Sequence, residues 1–293
     1  MKKVIIITGP TGIGKTKLSL ELAKKLNTDL INGDAYQIYQ GLDILTAKPT
    51  KDELKSVKHH LMDELNPMES FSIFQYQKMV RNIIEQIEIP IIVGGSGLYI
   101  DSVIYDYRFD EESSKDEYFD SSYTNEELHQ ILQKLDPNAA QNIHPNNRKR
   151  VARAIHLTKT QALEERAKGN EHYYQPLIIC LSLERELLYK RINNRVLQMI
   201  NDGLIQEVES LKYLQGTQLG KAIGFEHTIK YLNQEISKDE LIELISKDSR
   251  HYAKRQLTWY RNHQDCINLE VDLDCFENTI NKAYNLIVDF LKK

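Results

Sequence analysis

Val4-Ile5-Ile6-Ile7-Thr8 runs straight into Gly9-Pro10-Thr11-Gly12-Ile13-Gly14-Lys15-Thr16, and the reading of that junction decides the fold. The β-branched run stops at Thr8-Gly9, which reads as a buried strand ending in a turn. The residues from Gly9 to Thr16 then satisfy G-x-x-x-x-G-K-[ST] at every fixed position. Leu18, Leu22 and Leu26 follow at four-residue spacing, the signature of one helix face. Strand, glycine loop and helix is the setting this motif requires. Glycines let successive N–H groups turn into one concavity, and the helix adds its positive end. Lys15 supplies a point charge, and the Thr16 hydroxyl can ligate Mg²⁺. The loop therefore calls for a polyphosphate or pyrophosphate, without saying which compound. The expected fold is α/β, a P-loop NTPase-like parallel sheet flanked by helices.

Outward from that loop, 293 residues suffice for such a core plus a smaller inserted unit. Hydrophobic content of 41% and charged content of 27% are those of an ordinary globular protein. A net charge of -4 gives no global attraction to nucleic acid, so any such partner must meet a local basic patch. Cys180, Cys266 and Cys275 have no metal-ligand spacing and cannot all pair, which favours a reducing compartment. The apolar run after Met1-Lys2-Lys3 is too short for a signal peptide, and no other run approaches membrane-spanning length. A cytoplasmic protein with no membrane partner is the expectation.

Asp29 to Asn32 reads as a second strand, ending at Gly33-Asp34. Loops at the carboxyl ends of parallel strands line the ligand crevice. Asp34 either faces the phosphate loop there or caps the next helix; position alone leaves both open. His59-His60 lacks a third metal ligand. Ile89 to Val93 is a further buried strand, running into Gly94-Gly95-Ser96-Gly97, a second glycine turn that brings one hydroxyl to the crevice. Asp110 to Tyr123 is acidic and polar, a surface connection, and helices follow from Asn125. Arg148, Lys149, Arg150 and Arg153 form a basic cluster that suits RNA phosphates or a plain solvated face. Strand character returns at Leu177 to Leu183, so residues 107–172 read as a helical insertion. The core then comprises 1–106 and 173–293. Beyond Leu183 the chain reads as helical throughout. Arg250 to Arg261 interleaves cations with aromatics, which fits RNA stacking or an amphipathic core helix equally.

Taken together these blocks resemble the tRNA dimethylallyltransferase (tRNA isopentenyltransferase) family nearly end to end. The likeness rests on GPTGIGKT at Gly9–Thr16, GDAYQIYQGLDILTAKP at Gly33–Pro49, HHLMDELNP at His59–Pro67 and IIVGGSGLYI at Ile91–Ile100. It continues in HPNNRKRVARA at His144–Ala154, RVLQMINDGLIQEV at Arg195–Val208, AIGF at Ala222–Phe225 and AKRQLTW at Ala253–Trp259. The resemblance implies transfer of a dimethylallyl group from dimethylallyl diphosphate to the exocyclic amine of the adenosine 3′ to a tRNA anticodon. It implies that the loop from Gly9 to Thr16 holds the leaving diphosphate, with Mg²⁺ at Thr16. It also implies that Asp34 is the general base and that Ser96, often threonine in the family, holds the donor. An ordinary aspartate is ionised at neutral pH and ready to accept a proton. By the same resemblance Asp34, Ala35, Tyr36 and Gln37, and Lys149, Arg150, Val151, Ala152 and Arg153, contact the anticodon stem-loop, with the enzyme a monomer.

The chain departs from the family pattern at Ala35, usually serine, at Leu45, usually glycine, and at Phe225-Glu226-His227, usually Tyr-Lys-Glu. The polar stretch around Ser113 to Ser122 is shorter than usual. The rival reading is a P-loop kinase acting on a small metabolite, with ATP in the loop and Asp34 as base. No arginine-rich lid is evident in the sequence to support it. A nucleotide-dependent RNA-binding switch lacks a base-reading N-K-x-D motif. Prenylation of free adenine nucleotides would leave the basic insertion without a role.

Overall fold

The structure is a computed structural model that describes residues 1–107, 122–159, 171–261, 263 and 265–293. Most of the acidic stretch from Asp110, together with Asn262 and Gln264, lies outside the described residues. The chain divides into two units, Met1–Ile104 with Tyr174–Lys293, and Tyr105–Tyr173.

The first unit is built on strands β1 (Lys3–Thr8), β2 (Leu30–Asn32), β3 (His59–His60), β4 (Ile91–Val93), β5 (Gln175–Ser182) and β6 (Cys266–Glu270). They form one sheet in the order β3-β2-β4-β1-β5-β6, with every pairing parallel. Ile5 lies between Ile91 and Leu177. Helices α1 (Lys15–Leu26), α2 (Lys51–Ser56), α3 (Ile73–Gln86) and α4 (Gly97–Ile104) belong to this unit. Both faces of β1 are covered, so Val4 to Ile7 are all buried and the sequence shows a run instead of an alternation. The core joins Ile5 and Ile7 to Leu18 and Leu22 of α1 and to Ile179 and Leu181 of β5. Capping boxes at Thr50 with Glu53 and at Ser72 with Gln75 start α2 and α3.

The structure corrects the reading of the last third of the chain. The segment after Leu183 is not all helical, because β6 closes one edge of the sheet. Ile267 is 40% exposed while Leu269 is buried. Five residues buried on one face at an edge give too short an alternation to distinguish from a loop. At the other edge His59 and His60 pair with Leu30 and Ile31. Their rings are engaged with the Val57 carbonyl at 2.8 Å and the Asp29 carboxylate at 2.9 Å. Among the described residues, no group of three His, Cys, Asp or Glu could hold a metal.

The second unit contains α5 (Asn125–Leu135), α6 (Pro137–Asn142) and α7 (Arg148–Lys159). Thr124 opens α5 with a capping box and the Asp136 side chain caps α6. Leu128 and Leu132 pack on Ala140, Val151 and Ile155. The first unit resumes after β5 with α8 (Arg185–Asn201), α9 (Leu204–Ser210), α10 (Phe225–Leu232), α11 (Lys238–Arg261) and α12 (Phe276–Lys292). No described helix is long and apolar enough to cross a membrane.

Candidate active site

The loop between β1 and α1 is fixed before any ligand is considered. Gly14 adopts a left-handed φ of 113°, which turns the chain into the first turn of α1 and which a side chain would strain. Lys15 Nζ donates to the carbonyls of Gly9 and Pro10 at 2.8 and 2.9 Å. Burial, helped by the neighbouring Arg195 charge and opposed by Asp34, lowers the Lys15 ammonium to about 7. Ile13 is fully buried in the core, so the loop contributes its backbone and not that side chain.

A second glycine turn packs beside the first. A Cβ on Gly97 would stand 2.3 Å from the Trp259 ring, so only glycine lets α11 approach there. Gln256, one turn earlier on α11 and nearly buried, ties the two turns together. Its Oε1 accepts the Thr11 N–H at 2.9 Å and its Nε2 donates to the Gly95 carbonyl at 2.9 Å. The Thr11 N–H is thus occupied, and the loop's ligand-facing donors come from the residues after it. Tyr260, one turn further on, donates to the same Gly95 carbonyl at 3.1 Å, and its hydroxyl lies 2.5 Å from that of Thr8.

Asp34 follows β2 in an Asx turn. Its N–H donates to Asn32 Oδ1 and its own Oδ1 accepts the Tyr36 N–H, both at 2.9 Å. Asn32, itself buried, is anchored to the Leu61 carbonyl at 2.9 Å. Asp34 therefore lines the crevice and does not cap the next helix, α2, whose cap is Thr50; one Asp34 oxygen holds the turn while the carboxylate keeps further acceptor capacity. Burial pushes the Asp34 carboxyl above its ordinary value. The Tyr36 N–H, Lys15, the Gln37 N–H and Arg195 pull the other way without cancelling it. The expectation of an unperturbed carboxylate is corrected by this desolvation.

Two adjoining cavities meet at Asp34. One, of about 590 Å³, is lined by Gly12, Gly14, Lys15, Thr16 and Gln37 among others. The other, of about 270 Å³, has an apolar side formed by Leu45, Ile192, Val196, Met199, Ile223 and Ile245, with Tyr36 and Ser96 also in its lining. Thr11, Asp34, Thr46, Ala47, Arg195 and Tyr252 line both. A charged chamber suited to phosphate and a less polar one thus share a carboxylate at their junction. Burial pushes the Tyr252 hydroxyl up to about 12, and it is hydrogen-bonded with Ser96.

Of the residues singled out from the sequence, Asp34, Lys15, Thr16, Tyr36, Gln37 and Ser96 converge here. Ala35 does not line either cavity. Leu45 is buried in the second chamber with no left-handed backbone to demand glycine. Lys149, Arg150 and Arg153 are exposed on α7 of the second unit. Val151 and Ala152, expected beside them at RNA, are buried in that unit. A helix that packs one face and solvates the other cannot present five consecutive side chains outward.

The residues that sequence reasoning missed come from late helices. Arg191 Nε donates to the Gly12 carbonyl at 2.9 Å and Arg195 to the Thr11 hydroxyl at 3.2 Å. They stand four apart on α8, the spacing of one helix face, and that was the available signal. Gln256 could have been flagged as a polar residue on the buried stripe of α11.

Comparison with known proteins identifies the family. Residues 37–263 match the IPP transferase family model. The chain is 43% identical to a tRNA dimethylallyltransferase of Anoxybacillus flavithermus over 98% of its own length and 96% of the relative's. The tRNA delta(2)-isopentenylpyrophosphate transferase of Staphylococcus epidermidis is 36% identical, with a TM-score of 0.74 and 99% of both chains covered. A eukaryotic dimethylallyltransferase acting on tRNA is 27% identical with a TM-score of 0.86, covering 100% of this chain and 80% of that one. A phosphate loop set beside Asp34, in a chain this similar over its whole length, belongs to the IPP transferase family, the tRNA dimethylallyltransferases.

Proposed function

We propose that the enzyme transfers a dimethylallyl group from dimethylallyl diphosphate to N6 of the adenosine 3′ to the anticodon in tRNA, releasing diphosphate. The observation that carries this reading is the pair of cavities sharing Asp34. The diphosphate lies against the loop from Gly12 to Thr16, where backbone N–H groups and Lys15 meet charge that grows as the C1–O bond breaks. The N6 lone pair forms the new bond to C1, and the bonding pair of the C1–O bond leaves with diphosphate. N6 then sheds a proton to the Asp34 carboxylate, whose raised proton affinity suits a base. Ser96 and Tyr252 orient the donor and the acceptor at the junction.

Thr16, at the start of α1 in the phosphate chamber, fits one ligand position of Mg²⁺. Mg²⁺ commonly takes one or two protein oxygens and completes its shell with substrate phosphate and water. When bound, the ion would add positive charge to the leaving diphosphate. The adenine must leave its stack to reach N6 chemistry, which the less polar chamber accommodates. Asp34 and Tyr36 face that base, and Lys149, Arg150 and Arg153 are assigned to the RNA backbone. The enzyme is taken to act as a cytoplasmic monomer.

Incubating the protein with labelled dimethylallyl diphosphate and unmodified tRNA should place label on a single adenosine beside the anticodon. A parallel arm with ATP and small acceptors should yield no phosphorylated product. Label transfer confined to the ATP arm would replace this reading with a kinase.

A further inference from the structure

We propose that Glu207 is a positioning residue that sets the wall dividing the two chambers, and so governs the acceptor side of the reaction proposed above. That wall is the segment from Leu42 to Lys48. It forms one tight turn, with Thr46 N–H bonded to Leu42 O at 3.1 Å, Ala47 N–H to Ile44 O at 3.0 Å and Lys48 N–H to Asp43 O at 2.9 Å. The leading N–H groups of such a turn have no partner within it. Here they are met from α9. Glu207 Oε2 accepts the Ile44 N–H and Oε1 the Leu45 N–H, each at 2.8 Å, a two-pronged charge-assisted contact.

The turn needs an outside clamp. Leu42 and Ala47 both hold left-handed backbone, with φ of 56° and 50°, a conformation that non-glycine residues keep only where surroundings impose it. Its far end is tied by the Gln37 side chain, which donates to Thr46 O at 3.0 Å, and by the Lys48 ammonium, which donates to Tyr39 O at 2.7 Å and contacts Asp43 and Asp63. Its near end is held by Glu207. The turn delivers Thr46 and Ala47 to both cavities beside Asp34, and Leu45 to the less polar one. The phosphate loop, by contrast, is braced by Gln256, and its link to this turn runs through Arg195, which donates to the Thr11 hydroxyl at 3.2 Å and to the Ala47 carbonyl at 3.5 Å. Releasing Glu207 should therefore disorder the acceptor wall while leaving the diphosphate cradle in place.

Glu207→Ala and Glu207→Gln in the full chain test this with two readouts. Amide hydrogen exchange should rise at least roughly tenfold at Ile44 and Leu45 in the alanine variant, with the segment from Gly9 to Thr16 unchanged. In transfer assays kcat/KM for tRNA should fall by about tenfold or more, while affinity for dimethylallyl diphosphate stays within about twofold. Glutamine, with one acceptor oxygen and an amide facing the other N–H, should fall between the parent and alanine.

Unchanged exchange at Ile44 and Leu45 would overturn the clamp. Exchange raised uniformly along the chain, or raised locally with parental transfer kinetics, would reduce Glu207 to a structural contact and overturn the positioning role. If the parent enzyme itself modifies no tRNA, the reaction assigned above fails, whereas the exchange comparison still decides the clamp.

Discussion

The Gln256 side chain accepts the Thr11 N–H and donates to the Gly95 carbonyl, both at 2.9 Å, and so holds two ligand-facing turns from different strands at one separation. Gln256→Ala would leave the part-buried Thr11 N–H without its partner, at about 1–3 kcal/mol, and would leave the Gly95 carbonyl only its bond from Tyr260. The thermal midpoint should fall, and affinity for dimethylallyl diphosphate should drop by about tenfold as the loop loosens. Calorimetric titration of the donor measures the second effect. Parental donor affinity in a folded variant would show that the loop holds its shape without α11.

Asp34→Asn separates chemistry from folding. The amide keeps the side-chain oxygen that accepts the Tyr36 N–H but cannot take a proton from N6. Single-turnover transfer should slow by about 10²- to 10⁴-fold, the range for loss of a general base. Binding of donor and tRNA should persist. Stability should not fall. A carboxyl whose folded pKa lies above its unfolded value is disfavoured in its ionised form, a cost present above the folded pKa and gone once pH falls below the unfolded one. Asparagine removes that cost at neutral pH. A parental transfer rate would take the base role away from Asp34.

The dependence of kcat/KM on pH should be bell-shaped, since one buried group must be ionised and another protonated. Burial raises Asp34, so activity should fall as pH drops through a value above the ordinary carboxylate range of about 3.9. Lys15 lies lowered to about 7 in the free enzyme, so its positive charge, and with it donor capture, should fade as pH rises through that region. The acid limb should vanish in Asp34→Asn while the alkaline limb persists, moved to lower pH because the Asp34 charge no longer supports the Lys15 ammonium. An acid limb unmoved by that substitution would assign it to another group, such as the substrate.

The parts of this site that were legible in the sequence are those whose chemistry is local. From Gly9 to Thr16, each fixed residue type answers a backbone or charge requirement within one turn, so the phosphate loop could be read without a fold. Asp34 was legible as a position at a strand end but not in its ionisation, because both the burial that raises its pKa and the Lys15 and Arg195 charges that oppose the rise are set by the folded chain. Gln256, Arg191 and Arg195 act on the loop from far along the chain. Periodicity marks Gln256 only as a polar residue on a buried stripe. The sheet was legible where both faces are covered, as at Val4 to Ile7, and illegible at its edges, β3 and β6, where burial is too partial to leave a pattern.

The basic residues of α7 test the RNA partner directly. Arg150 and Arg153 are exposed and three residues apart, hence neighbours on one helix face, while Val151 and Ile155 pack inward on Leu128 and Leu132. Replacing both arginines by glutamine should therefore leave the thermal midpoint within about 1 °C, since exposed substitutions away from packing contacts are close to neutral. If each arginine neutralises one tRNA phosphate, the double variant should flatten the plot of log affinity against log salt by about 1.4 to 1.8 in slope. Donor affinity, set by the phosphate loop, should not move. Filter binding across a salt series distinguishes this from a general loss of positive charge. Attraction at a distance would weaken binding at low salt and leave the slope almost intact, and that outcome would return α7 to being a solvated face.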